Sequence, residues 1–208
     1  MIRTVGCEIN GIHYNYCCDE KLVPMFEPVL KAIESLPAEK IEDGIRIEAG
    51  FSFFILSERE NGYTLLTLDY DDIDPLTAFT EDLTDAIMLE CKQALVLQTA
   101  GAFPTNVIRA NDAVFVEKGA FDSEYIIMRR QPYDTGSRWE AAKLAFNENG
   151  GAEINDHPDY DIITACDLVK KMYDMAIVLE LPENYMVTFK NGRLYEIIND
   201  RDELIRLQ

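Results

Sequence analysis

Three pairs of apolar runs along the chain, rich in β-branched and aromatic residues, are each joined by the dipeptide Asn-Gly. Thr4 to Ile9 and Ile12 to Cys17 flank Asn10-Gly11, Ile45 to Ser57 and Tyr63 to Tyr70 flank Asn61-Gly62, and Tyr185 to Phe189 and Arg193 to Ile198 flank Asn191-Gly192. Asn-Gly readily adopts the positive φ angles of a type I′ turn, so each pair predicts a β-hairpin. Further strands are expected at Ala113 to Glu117 and Tyr125 to Arg130.

Between the hairpins the apolar spacing changes to three and four residues. Met25, Val29, Ile33 and Leu36 predict a helix from about Pro24 to Leu36, where Pro37 stops it. The clearest helix is predicted over Glu81 to Ala100. Its Leu83, Ala86, Ile87, Cys91, Ala94 and Leu95 share one face, with Thr80 as N-cap and Gly101 as the stop. A third runs from Thr164 to Leu179, with Leu168, Met172, Tyr173 and Ala176 inward. Gln131 to Arg138 and Asn147 to Pro158 read as loops. The fold class expected is α+β: antiparallel sheet built from hairpins, with two or three helices packed on one face and no parallel βαβ winding. Residues 1–40 form an N-terminal hairpin and helix, and residues 41–208 one α+β domain packed continuously with them.

Composition narrows the function classes. With 48% apolar residues the chain has ample material for a core and is not expected to be disordered. No apolar run approaches the roughly 20 residues that cross a bilayer, and no signal-peptide pattern opens the chain. Five cysteines without CxxC spacing, two of them adjacent at Cys17-Cys18, point to reduced thiols in a cytoplasm. The 38 Asp and Glu against 19 Lys and Arg leave a formal charge of −19. That field disfavours nucleic acid and membrane surfaces and favours a basic protein partner.

The carboxylates concentrate. From Glu60 through Cys91 there are nine acidic residues and no Lys or Arg. Asp69, Asp71, Asp72 and Asp74 are spaced like the opening of a calcium loop, but no central Gly follows and Thr80 occupies the position of the bidentate Glu. A solvated acidic turn that binds protein is the expectation, with no metal and no cofactor. Cys166 or Cys91 with His157 could supply a thiolate and a base, yet no nucleophile signature surrounds either cysteine, so no catalytic residue is assigned. There is no P-loop. The segment Tyr133-Asp134-Thr135-Gly136-Ser137-Arg138-Trp139 unites an arginine and the single tryptophan in a polar stretch. Those residue types are enriched at binding hot spots. The competing reading has Trp139 packed inward and Arg138 balancing nearby acids.

Several stretches, taken in order, resemble the immunity proteins of bacterial polymorphic toxin systems. They are Ala49-Gly50-Phe51-Ser52-Phe53-Phe54-Ile55-Leu56, then Leu68-Asp69-Tyr70-Asp71-Asp72-Ile73-Asp74-Pro75, then Asp82-Leu83-Thr84 leading to Gln93 and Ala100-Gly101. Asp134 to Trp139 and Tyr185-Met186-Val187-Thr188-Phe189 complete the series, which spans Ile45 to Ile198. Phe51 stands where the family carries Trp, and two residues separate Gly136 from Trp139. The resemblance implies a non-enzymatic antidote that binds and silences a cognate protein toxin. In that reading Asp69, Asp71, Asp72, Asp74 and Asp134 supply charge toward a basic, nuclease-type partner, and Arg138 and Trp139 anchor. The alternative is a small-molecule hydrolase with a carboxylate-lined cleft.

Overall fold

The computed structural model of the chain describes residues 1–104, 107–133, 136–155 and 157–205. Its elements fall into two compact units, Met1–Cys91 and Lys92–Gln208, with the division inside one helix.

The first unit carries a six-stranded sheet. Strands β1 (Ile2–Ile9) and β2 (Ile12–Asp19) form the first hairpin, and Asn10 and Gly11 both take positive φ, as the dipeptide predicts. A 3₁₀ turn at Val23–Phe26 then leads into helix α1 (Glu27–Glu34). The tighter opening turn rotates the inward face, so Phe26, Val29 and Ile33 are buried while Met25 is exposed.

The run from Ile45 to Ser57 divides at Gly50 into β3 (Arg46–Ala49) and β4 (Ser52–Arg59). Strand β5 (Gly62–Leu68) pairs with β4 through Arg59↔Gly62. The turn residues are therefore Glu60 and Asn61, one position earlier than the dipeptide predicts. Gly62 is needed for a non-local reason: a Cβ there would lie 2.1 Å from the His13 carbonyl oxygen. At this close approach β2 and β5 pair in parallel, through Tyr14↔Tyr63 and Asn15↔Thr64. The short β6 (Phe79–Thr80) pairs with β5, so Thr80 is a strand residue rather than a helix cap. The sheet order is β1-β2-β5-β4-β3, so the first hairpin shares one sheet with the strands beyond residue 40. Phe26 lies at its centre, 4.5 Å from the ring centroid of Tyr16 and 5.4 Å from that of Phe54.

Helix α2 (Thr84–Ala100) begins in the first unit and ends in the second. Its buried positions are Ala86, Ile87, Leu89, Gln93 and Val96, whereas Leu95 is exposed. Of the expected inward face, Leu83, Ala86 and Ile87 are buried, and it turns outward only farther along the helix, at Ala94 and Leu95.

The second unit holds an eight-stranded sheet built from β7 (Ala113–Glu117), β8 (Tyr125–Tyr133), β9 (Gly136–Phe146), β10 (Ala152–Ile154), β11 (Tyr160–Thr164), β12 (Met186–Lys190), β13 (Arg193–Ile198) and β14 (Leu204–Ile205). The order is β11-β7-β9-β8-β12-β13-β14, with β10 against β9. Pairing is antiparallel except between β7 and β9. Both expected loops therefore contain strand. Gln131 pairs with Arg138 inside the β8–β9 hairpin, and Ala152–Ile154 pairs back onto β9. Asn191 and Gly192 have positive φ and form the third hairpin as predicted.

The helix expected over Thr164 to Leu179 is shorter and broken. Thr164 ends β11 and caps α3 (Ala165–Lys171) in a reciprocal box with Asp167, and Met172, in a non-helical conformation, separates α3 from α4 (Tyr173–Ala176). One face of the sheet, carrying Val114, Val116, Trp139, Ala141, Met128, Val187 and Phe189, is buried. The architecture is mixed: two mostly antiparallel sheets with few helices, rather than one sheet with a helical layer.

Candidate functional site

The acidic segment after β5 folds as a turn secured by its own carboxylates. Asp69 Oδ1 accepts from the Asp71 N–H at 3.1 Å and Asp72 Oδ1 from the Asp74 N–H at 3.1 Å, two Asx turns in succession. The Asp69 N–H in turn donates to the Ala78 carbonyl at 3.0 Å, closing the base of the loop. Pro75 is buried beneath, while Asp71, Asp72 and Asp74 are exposed and Ile73 at the tip is 94% exposed. Three cations of the first unit pair elsewhere: Arg59 with Glu81 at 3.0 Å, Lys31 with Glu27 at 2.8 Å and Arg46 with Glu48 at 4.0 Å. Asp69, Asp71 and Asp74 form no ion pair among the described residues. The patch extends onto the start of α2. Desolvation holds the Asp85 carboxyl above the ordinary range, and the charges of Asp71, Asp82 and Asp69 push it in the same direction. Among the described residues no cluster of His, Cys, Asp or Glu has the geometry of a metal site.

Behind this surface the first unit buries a titratable group that the sequence reading missed. Glu90 projects from α2 at the β3–β4 turn, where its Oε1 accepts from the Ser52 N–H at 2.8 Å and the carboxyl also takes hydrogen bonds from Phe51 and the Ser52 hydroxyl. Gly50, at φ +62°, makes room for it, since a Cβ there would lie 2.1 Å from Glu90 Oε2. Ser52 Oγ lies 3.0 Å from the Tyr70 hydroxyl in a buried contact. Burial pushes the Glu90 carboxyl up to about 7, and the three hydrogen bonds only partly oppose that. The visible signal was spacing: Glu90 lies four residues after Ala86 and three before Gln93, on the buried stripe.

Trp139 and Arg138 do not form an exposed anchor. Trp139 is 1% exposed, and its indole Nε1 donates to the Leu179 carbonyl at 2.9 Å. β9 alternates, so a residue facing the covered side of the sheet packs inward, and the indole is unavailable to a partner. Its strand neighbour Arg130, 0% exposed, donates to the Leu179 and Leu181 carbonyls and secures the chain after α4. Arg138 faces the other way, over the Phe115 ring at 4.3 Å, with its Nε donating to Glu140 at 2.7 Å. Asp134 lies outside the described residues. The acidic turn belongs to the first unit and Arg138 and Trp139 to the second.

The cysteines give no reactive pair. All are free thiols; Cys17 and Cys18 point to opposite faces of β2, and Cys166 is fully buried in α3.

On the open face of the second sheet, β8 and β9 floor a cavity of about 240 Å³. Ile127, Ala142, Ile154 and Pro158 form its apolar side. Arg129, Glu140, Asn155 and Tyr160 form its polar side. No helix among the described residues is long and apolar enough to cross a membrane. No family model, curated protein or solved structure matches the chain.

Proposed function

We propose that this chain is a non-catalytic binding protein of the immunity type, whose acidic turn docks on a basic protein toxin and covers the surface that engages the toxin's substrate. The observation that carries this reading is the Asp69 to Asp74 turn, which offers exposed carboxylates around an exposed Ile73 and draws on few cations of its own. Ordinary surface acids serve solubility and are interspersed with cations. Here the self-repulsion registered at Asp85 is a standing cost that a cationic partner would relieve. Ile73 adds an apolar contact at the centre of a polar rim, the arrangement in which a single buried side chain contributes most. The resemblance to immunity proteins supplies the partner class.

Capture from source-cell lysate with the immobilised chain tests the reading, using the triple variant Asp69→Lys, Asp71→Lys, Asp74→Lys as the control. One basic protein should be retained by the wild type at low salt and lost with the variant, because steering between opposite charges collapses on reversal and is screened by salt. Equal retention by both chains rules the acidic turn out as the docking surface.

A further inference from the structure

The cavity on the open face of the second unit has one cation too many. Across the β8–β9 ladder Arg129 stands directly opposite Glu140, a placement in which opposite charges ordinarily join. No ion pair joins them among the described residues, and Glu140 Oε1 is held instead by Arg138, which reaches it with both Nε and Nη2. The other nearby acid, Glu117, is buried and committed as well. It accepts from the Lys143 N–H at 2.8 Å and the Asn155 amide at 3.3 Å, with Lys143 Nζ 3.9 Å away. Arg129 is left lining the cavity, with its buried Nε lacking any hydrogen-bond partner among the described residues. An unanswered guanidinium N–H inside a protein is costly and uncommon, which makes it a pointer to something that binds.

We propose that this cavity binds a small organic carboxylate, its anionic end on Arg129 and its apolar body against Ile127, Ala142, Ile154 and Pro158. A guanidinium presents parallel N–H donors that match a planar carboxylate and complete its own hydrogen bonding. Tyr160 and Asn155 also line the cavity, the Asn155 amide donating to Glu117. Burial raises the Tyr160 pKa, with Glu140 and Glu117 adding to the effect, so the phenol stays a donor at neutral pH. Along the β8–β9 ladder the apolar pair Ile127 and Ala142 adjoins the charged pair Arg129 and Glu140, which suits a compact hydrocarbon with a charged end. The volume sets its size, below the roughly 300 to 1,000 Å³ of sites for drug-sized molecules. In a chain of net charge −19, an anion would be held by this local arrangement alone.

The test uses the whole chain and amide chemical-shift titration with isovalerate, leucine, 3-methylbutanol and inorganic phosphate. Isovalerate should bind with Kd on the order of 1 mM and shift amides at Ile127, Arg129 and Glu140. The alcohol, with the same body and no carboxylate, should be weaker by at least about tenfold, as should phosphate. Leucine binding more tightly than isovalerate would show the ligand to be zwitterionic, with its ammonium on Glu140. Arg129→Gln should lose about tenfold or more in isovalerate affinity and Arg129→Lys somewhat less, since lysine keeps the charge and loses the fork. Ala142→Leu, which fills the cavity and leaves every polar group in place, guards against an arginine variant that fails to fold, and should also abolish binding. Isovalerate shifts absent from β8 and β9, unchanged affinity in Arg129→Gln, or equal binding of the alcohol would overturn the proposal.

Discussion

Glu90 makes the stability of the first unit depend on pH with a sign opposite to that of a salt-bridged carboxylate. Its carboxyl is raised from 4.5 to about 7 by burial, so between those values the folded chain holds a proton that the unfolded chain has released. Stability attributable to this group is fully present below about pH 4.5, falls as pH rises through the window, and is level above about pH 7. At about 1.4 kcal/mol per pH unit the window corresponds to about 3 kcal/mol, an order-of-magnitude figure for a group that keeps three hydrogen bonds when charged. Glu90→Gln removes the titration while keeping an oxygen to accept from Ser52. Urea unfolding followed by far-UV circular dichroism at about pH 5 and about pH 8 measures the effect. Relative to the glutamine variant, the wild type should gain about 3 kcal/mol on going to the lower pH. Taking the difference cancels every other titrating group, including the general relief of self-repulsion as carboxylates protonate. Protection of the Ser52 amide from hydrogen exchange should follow the same curve. Parallel stability profiles for the two chains would falsify the account of Glu90 as a buried, desolvated acid.

Other variants test neighbouring claims. Gly62→Ala should destabilise the first unit more than Gly50→Ala. The first sets a Cβ against the rigid His13 carbonyl, the second against the movable end of Glu90, and both carry the left-handed φ penalty of about 1 kcal/mol; chemical denaturation ranks them. Trp139→Phe should cost about 1 kcal/mol, because the Leu179 carbonyl loses its shorter donor and keeps only Arg130, and should leave partner capture unchanged because the indole is buried. Arg130→Met should cost about 3–5 kcal/mol, read as a lowered urea midpoint, because two buried carbonyls lose their donor and Glu180 and Glu183 lose a countercharge.

What the sequence disclosed and what it hid divide by the range of the interaction responsible. Asn10-Gly11 and Asn191-Gly192 gave their hairpins correctly because the constraint is local: both residues take positive φ and the loop closes on itself. At Asn61-Gly62 the same dipeptide misleads by one position. There glycine answers to the backbone of His13, nearly fifty positions earlier in the chain, and a turn rule has no access to that. The run from Ile45 to Ser57 reads as one strand for a similar reason. The break at Gly50 is stabilised by Glu90, a residue supplied by a helix that forms much later in the chain.

The site residues obey the same logic, and they show why an acidic turn can be read from sequence when an aromatic anchor cannot. Exposure of Asp71, Asp72 and Asp74 is a property of the segment itself, since four carboxylates within six positions cannot all be desolvated; only Asp69 is half-buried. Trp139 carries no such constraint. An indole between Arg138 and Glu140 serves an interface or a core equally well, and the outcome depends on which side of β9 the sheet covers. Alternation then fixes the rest. With Trp139 and Arg130 turned inward together, Arg138, Glu140 and Arg129 are turned outward together, onto the face that carries the cavity. The residue expected to meet a protein partner is thereby the one that aims its neighbours at a small molecule, and a single register accounts for both placements.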